Sequence, residues 1–99
     1  MKPLLFHPDV ALDVKGSYDW YEKELNGLGG GFLSELENAY EAVMYSPETW
    51  ASFKYGFRRY ILTRFPFSVI YKEEKEKIYI IAVMHNSRKP NYWMERVND

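Results

Sequence analysis

The side chains best suited to chemistry crowd into the second half of the chain. The stretch HNSRKPNYW, residues 85–93, holds one of the two histidines, an Arg-Lys pair, a tyrosine and a tryptophan, and Lys54, Arg58, Arg59 and Arg64 precede it. Metal-independent cleavage of a ribose phosphodiester needs a base for the 2′-hydroxyl, a cation for the phosphorane and an acid for the leaving oxygen. On that reading His85 is the base, Arg59 or Arg88 stabilises the charge, and Tyr92 or Lys54 donates a proton. The same residue types describe a binding surface. Arginines among Phe53, Tyr55, Tyr92 and Trp93 suit phosphates and stacked bases. They suit a protein interface equally well, because Tyr, Trp and Arg are enriched there. A lone histidine closing an apolar strand also commonly serves as a hydrogen-bonded structural residue. Arg59, His85, Arg88 and Tyr92 are thus the catalytic candidates if the chain is a nuclease. Lys54, Arg58, Arg64, Lys89 and Trp93 are candidates for contact with a target.

Composition narrows the chemistry further. The 99 residues carry no cysteine and only two, widely separated histidines, which argues against a thiolate nucleophile, a disulfide framework or a metal site and predicts no cofactor. The net charge of −1 conceals a polarised chain. Residues 1–50 have three lysines against nine carboxylates, and residues 51–99 have ten lysines and arginines against five. A basic second half suits an anionic partner, although charge speaks to association and not to fold. The N-terminal MKPLLFHPDV has too short an apolar run for a secretory leader, and nothing approaches the length of a membrane span. The expectation is a cytoplasmic protein with no membrane contact, folded as a single domain over residues 1–99.

These side chains need elements to position them. KPLLF, residues 2–6, reads as an edge strand, since Pro3 disfavours a central one. His7-Pro8-Asp9 opens a helix whose buried face is Val10, Val14, Tyr18, Tyr21 and Leu25, ended by Asn26-Gly27. Gly29-Gly30-Gly31 lacks the Lys-Ser/Thr of a phosphate loop and reads as a tight interhelical turn. A second helix follows, with Phe32, Leu36, Ala39, Tyr40 and Val43 inward, and stops near Tyr45 before Ser46-Pro47. From Phe57 the period changes to two. FRRYILTRF (57–65), FSVIYK (67–72) and KIYIIAVMH (77–85) read as three strands, the last two joined by a charged loop. Ile78, Ile80, Ala82 and Met84 are expected on one face of the last strand, and Tyr79, Ile81, Val83 and His85 on the other. Arg58 and Arg59 must likewise point to opposite faces, so at most one serves any single site. The fold class is α+β: an N-terminal strand and an antiparallel helix hairpin packed on a twisted, mainly antiparallel sheet.

The helix hairpin with GLGGGF, then SPETW, FRRYILTRFPFSVIYK and IYIIAVMHNSRKPNYW, resembles the RelE/ParE superfamily of type II toxins. The resemblance extends from about Leu5 to Arg96. It implies a cytoplasmic bacterial toxin neutralised by an antitoxin that wraps it. RelE-like members cut mRNA, usually in the ribosome; ParE-like members inhibit DNA gyrase. His85, Arg88, Pro90, Tyr92 and Trp93 are similar to the ending of the ParE-like, plasmid-stabilisation branch. Two departures point the same way. RelE-like nucleases are strongly basic, whereas this chain has net charge −1, and their lysine-rich segment is here TWASFKYGF with Lys54 alone. The resemblance therefore implies first a ParE-like inhibitor of a protein target such as gyrase. An mRNA endoribonuclease and a non-toxic degenerate member are the alternatives.

Overall fold

A computed structural model describes residues 1–89 and 92–98. The chain runs β1 (Leu4–Phe6), α1 (Val10–Glu24), α2 (Leu28–Tyr45), β2 (Ala51–Ser52), β3 (Arg58–Ile61), β4 (Phe67–Glu73), β5 (Ile78–His85) and a short 3-10 turn at Met94–Asn98. The sheet order is β1-β5-β4-β3-β2. Strands β2 to β5 form an antiparallel meander, and β1 pairs with β5 in parallel at the edge, Leu4 beside Ile78 and Phe6 beside Ile80.

Both helices lie on one face of the sheet. Tyr21 of α1 and Phe32, Leu36, Ala39 and Val43 of α2 pack on Phe65, Phe67, Val69, Tyr71, Ile78, Ile80 and Val83. The aromatic centre is tight, with Tyr21, Phe32, Phe65 and Phe67 meeting at ring-centroid distances of 5.0–6.1 Å, mostly edge to face, as ring quadrupoles favour. The opposite face is covered too. Phe57, Ile70, Ile81, Ala82 and Met84 hold a second cluster closed by Trp93 from the C-terminal segment.

Three expectations change in detail. The glycine run is not a turn: α2 starts at Leu28, and Gly29 to Gly31 form its first turn. The reversal lies at Leu25 to Gly27, where Gly27 takes φ 92°, and Leu25 is extended and exposed instead of buried. Glu22 makes the early start possible, because its carboxylate accepts the N–H groups of Gly27 at 3.0 Å and Gly29 at 2.8 Å. An anion at a helix N-terminus satisfies donors that have no partner within the helix. The run 57–65 is strand only to Ile61, since Glu35 of α2 accepts the Arg64 N–H at 2.7 Å and bends the chain toward the helix. Finally, strict alternation fails in β5. Tyr71 pairs with Ile80 but Ile70 with Ala82, leaving Ile81 as a bulge. A bulge reverses the facing of every later residue. Ile78, Ile80 and Val83 therefore face the helices, and Ile81, Ala82 and Met84 face away.

Candidate functional site

The candidate residues divide between the two faces. Arg58 pairs with Tyr71 and Tyr60 with Val69, so both face the helices, where an Arg58 guanidinium N–H donates to the Trp50 carbonyl at 2.8 Å. Arg59 pairs with Ile70 and faces away, its guanidinium 4.8 Å from the Phe53 ring centre, within cation–π range. His85 is on the helix side. It pairs with Phe67, meets that ring edge-on at 5.1 Å, and borders an apolar pocket with Trp20 and Tyr21. Arg59 and His85 thus stand on opposite sides of the sheet, and no single phosphodiester reaches both.

The chemistry of His85 is equally constrained. Its Nδ1 accepts the Ser87 backbone N–H at 3.0 Å, with the Ser87 hydroxyl 2.7 Å away. A backbone N–H can only donate, so Nδ1 carries the lone pair in this contact and the neutral ring holds its proton on Nε2. The one basic lone pair is already engaged. His85 closes the strand end as a hydrogen-bonded structural group.

Arg88 and Tyr92 do come together, the guanidinium lying 4.2 Å from the phenol ring centre. Tyr92 belongs to a network around Asp13. Burial, then the nearby Asp13 charge, pushes its phenol up to about 12 against the opposing pull of Arg96 and Arg88. Arg96 makes a two-pronged bond to Asp13, 2.8 and 2.9 Å, and donates to the Ile81 carbonyl at 3.0 Å. Asp13 also accepts the Val83 N–H at 3.1 Å. One carboxylate from α1 therefore fastens both the bulged strand and the C-terminal segment. Asp13 sits in the first turn of α1, and its partner Arg96 lies 83 positions away, a pairing no local pattern exposes.

The remaining candidates fall into two groups. Arg64 bonds Glu35 at 2.9 Å and the Gly31 carbonyl at 3.4 Å, so it fastens the β3–β4 loop to α2. Trp93 is fully buried against Phe57 and Phe53, which corrects its assignment as a target contact: it is a core anchor. Pro90, of the same ending, lies outside the described residues. Lys54 and Lys89 are exposed. The cations thus meet only in part, with Arg59 and Lys72 on the far face and Arg58 and Arg64 on the other side or its rim. Among the described residues, no cluster of His, Cys, Asp and Glu could hold a metal. No helix there is long and apolar enough to cross a membrane.

A helix hairpin on one face of a five-stranded mixed sheet, with a short C-terminal cover on the other, places the chain in the RelE/ParE superfamily. More narrowly, the family model for the ParE toxin of the type II toxin-antitoxin system, parDE, matches residues 4–90, and the chain belongs to that family. No curated protein matches the sequence as a relative. Among solved structures, the chromosomal ParDE TA system from P. aeruginosa has the same fold, with a TM-score of 0.76 at 20% identity, covering 86% of this chain and 96% of that one.

Proposed function

We propose that the chain acts in the cytoplasm as a toxin that binds a protein target, DNA gyrase, and that a cognate antitoxin neutralises it. One observation carries the choice of a binding mechanism over RNA cleavage: Arg59 and His85 lie on opposite faces of the sheet, and His85 engages its Nδ1 lone pair with the Ser87 N–H. Tyr92 and Arg96 are tied to Asp13, and Trp93 is in the core. What remains is a surface, and a surface inhibits by occupying its target. An antitoxin is supported by apolar groups that the fold leaves outside. Among the described residues β1 has only β5 as a sheet neighbour, with Leu5 and Phe6 half exposed, and α1 presents Leu12 and Trp20. An open edge and an apolar helix face suit strand addition and helix docking by a segment that folds on binding.

The reading is tested in cells that express the chain without a partner. Inhibition of gyrase predicts growth arrest with a DNA-damage response and intact transcripts. Rescue is expected on co-expression of a small reading frame adjoining the gene. Transcripts with new, discrete 5′ ends and no DNA damage would assign the chain to RNA cleavage instead.

A further inference from the structure

The turn between β2 and β3 holds a side chain that its backbone disfavours. The Phe57 N–H donates to the Lys54 carbonyl at 3.1 Å, and the two residues between them both have positive φ, Tyr55 at 60° and Gly56 at 80°. Two successive left-handed residues make a type I′ hairpin turn, whose twist matches the flanking strands and whose first position favours Asn, Asp or Gly. A tyrosine there suffers the crowding of its Cβ against the backbone. It is the one non-glycine residue with positive φ among those described. Burial offers no compensation, because Tyr55 is 62% exposed. Neither the turn nor the core accounts for an aromatic ring at this position.

Its surroundings do. Tyr55 walls a groove of about 370 Å³ on the far face of the sheet, with Phe57, Tyr79, Lys72 and Lys77 also lining it. Lys72 is the cross-strand partner of Tyr79, and its ammonium lies 5.7 Å from the Phe57 ring centre. Lys77 is only loosely paired with Glu74, at 3.5 Å. The groove therefore offers lysine charge set among aromatic carbon, with a carboxylate on its rim. A nucleic-acid backbone brings a phosphate at every nucleotide and would meet Glu74 as well as the lysines. A protein surface with isolated carboxylates beside apolar side chains matches the groove better: the carboxylates answer Lys72 and Lys77, and the apolar groups answer Tyr55 and Tyr79. Exposed aromatic residues beside cations are also the residue types that concentrate binding energy at interfaces.

We infer that the Tyr55–Lys72 groove is the surface through which the chain grips an acidic patch of its protein target, with Tyr55 as the aromatic anchor. This rests on the protein-target reading above. The test titrates purified DNA gyrase with the parent chain and with Tyr55→Asn, Tyr55→Phe and Lys72→Glu, reading the concentration that halves supercoiling. Tyr55→Asn should raise the thermal midpoint, since asparagine accepts the left-handed backbone, yet raise the half-inhibitory concentration at least tenfold. Lys72→Glu should weaken inhibition to a similar degree with little change in thermal midpoint, and Tyr55→Phe should inhibit like the parent. A parent that inhibits, with Tyr55→Asn and Lys72→Glu equally potent, overturns the groove assignment alone. A parent that leaves gyrase untouched overturns the target reading and this inference together. Retention of a labelled RNA oligonucleotide by the parent, lost in Lys72→Glu, would give the groove to nucleic acid and overturn the inference by another route.

Discussion

Arg96 and Arg64 carry the same charge and contribute differently to the fold. The Arg96 and Asp13 side chains are 12% and 11% exposed, and the guanidinium holds both oxygens of the carboxylate. Arg96→Ala should therefore destabilise the chain by about 3–5 kcal/mol, the usual result of stranding one member of a buried pair. Arg64 is 65% exposed, and Arg64→Ala should cost no more than about 1 kcal/mol. Urea denaturation of the two variants checks the contrast; similar losses would mean that the Asp13 network does not hold the C-terminal segment. Trp93→Ala belongs beside Arg96→Ala. It opens a void among Phe57, Ile70 and Ala82 and should cost about 3–5 kcal/mol. At this scale the sequence was legible in part. The residues that matter were visible as types, but whether His85 is a base or a strand end depends on where Ser87 places its N–H, and side-chain periodicity carries no such information.

Among the elements, the two helices show what local sequence can and cannot specify. Phe32, Leu36, Ala39 and Val43 repeat at helical spacing and are buried as that spacing predicts. Gly29 to Gly31 looked like a break because the signal that makes them helical, the Glu22 carboxylate, comes from the preceding helix. Two glycines distinguish propensity from packing. A Cβ at Gly16 meets nothing within 4 Å, so Gly16→Ala should stabilise α1 by about 1 kcal/mol. A Cβ at Gly29 would fall 2.7 Å from Glu22 Cγ and 2.8 Å from the Tyr18 ring, so Gly29→Ala should lower the thermal midpoint despite alanine's better propensity. Opposite shifts in a melting experiment are the expected result. The bulge at Ile81 was hidden for a different reason. Every residue from Ile78 to Met84 is apolar or aromatic, so the strand offers no polar alternation from which a slip could be read.

The whole molecule buries both faces of its sheet, and several phenols lie in that interior. Burial, with the Asp13 charge nearby, holds Tyr40 up to about 12. Burial also raises Tyr71 to about 12, with Arg58 opposing and Glu73 and Glu48 adding; its hydroxyl donates to the Pro47 carbonyl. Tyr92 is raised to the same value. A folded pKa above the unfolded value near 10 means that the unfolded chain releases protons the folded chain retains. Stability from these groups is therefore complete below about pH 10 and is lost as pH rises through about 12. Urea midpoints measured from pH 8 to 12 should fall over that window, and a flat profile would contradict the burial of the phenols. The same two-sided closure leaves function to the surface, and the central claim is that this surface acts on a protein. The most direct measurement places the purified chain in one reaction with DNA gyrase, relaxed plasmid and a ribosome-bound mRNA. The account predicts that supercoiling fails while the mRNA stays whole; normal supercoiling with cleaved mRNA would contradict it.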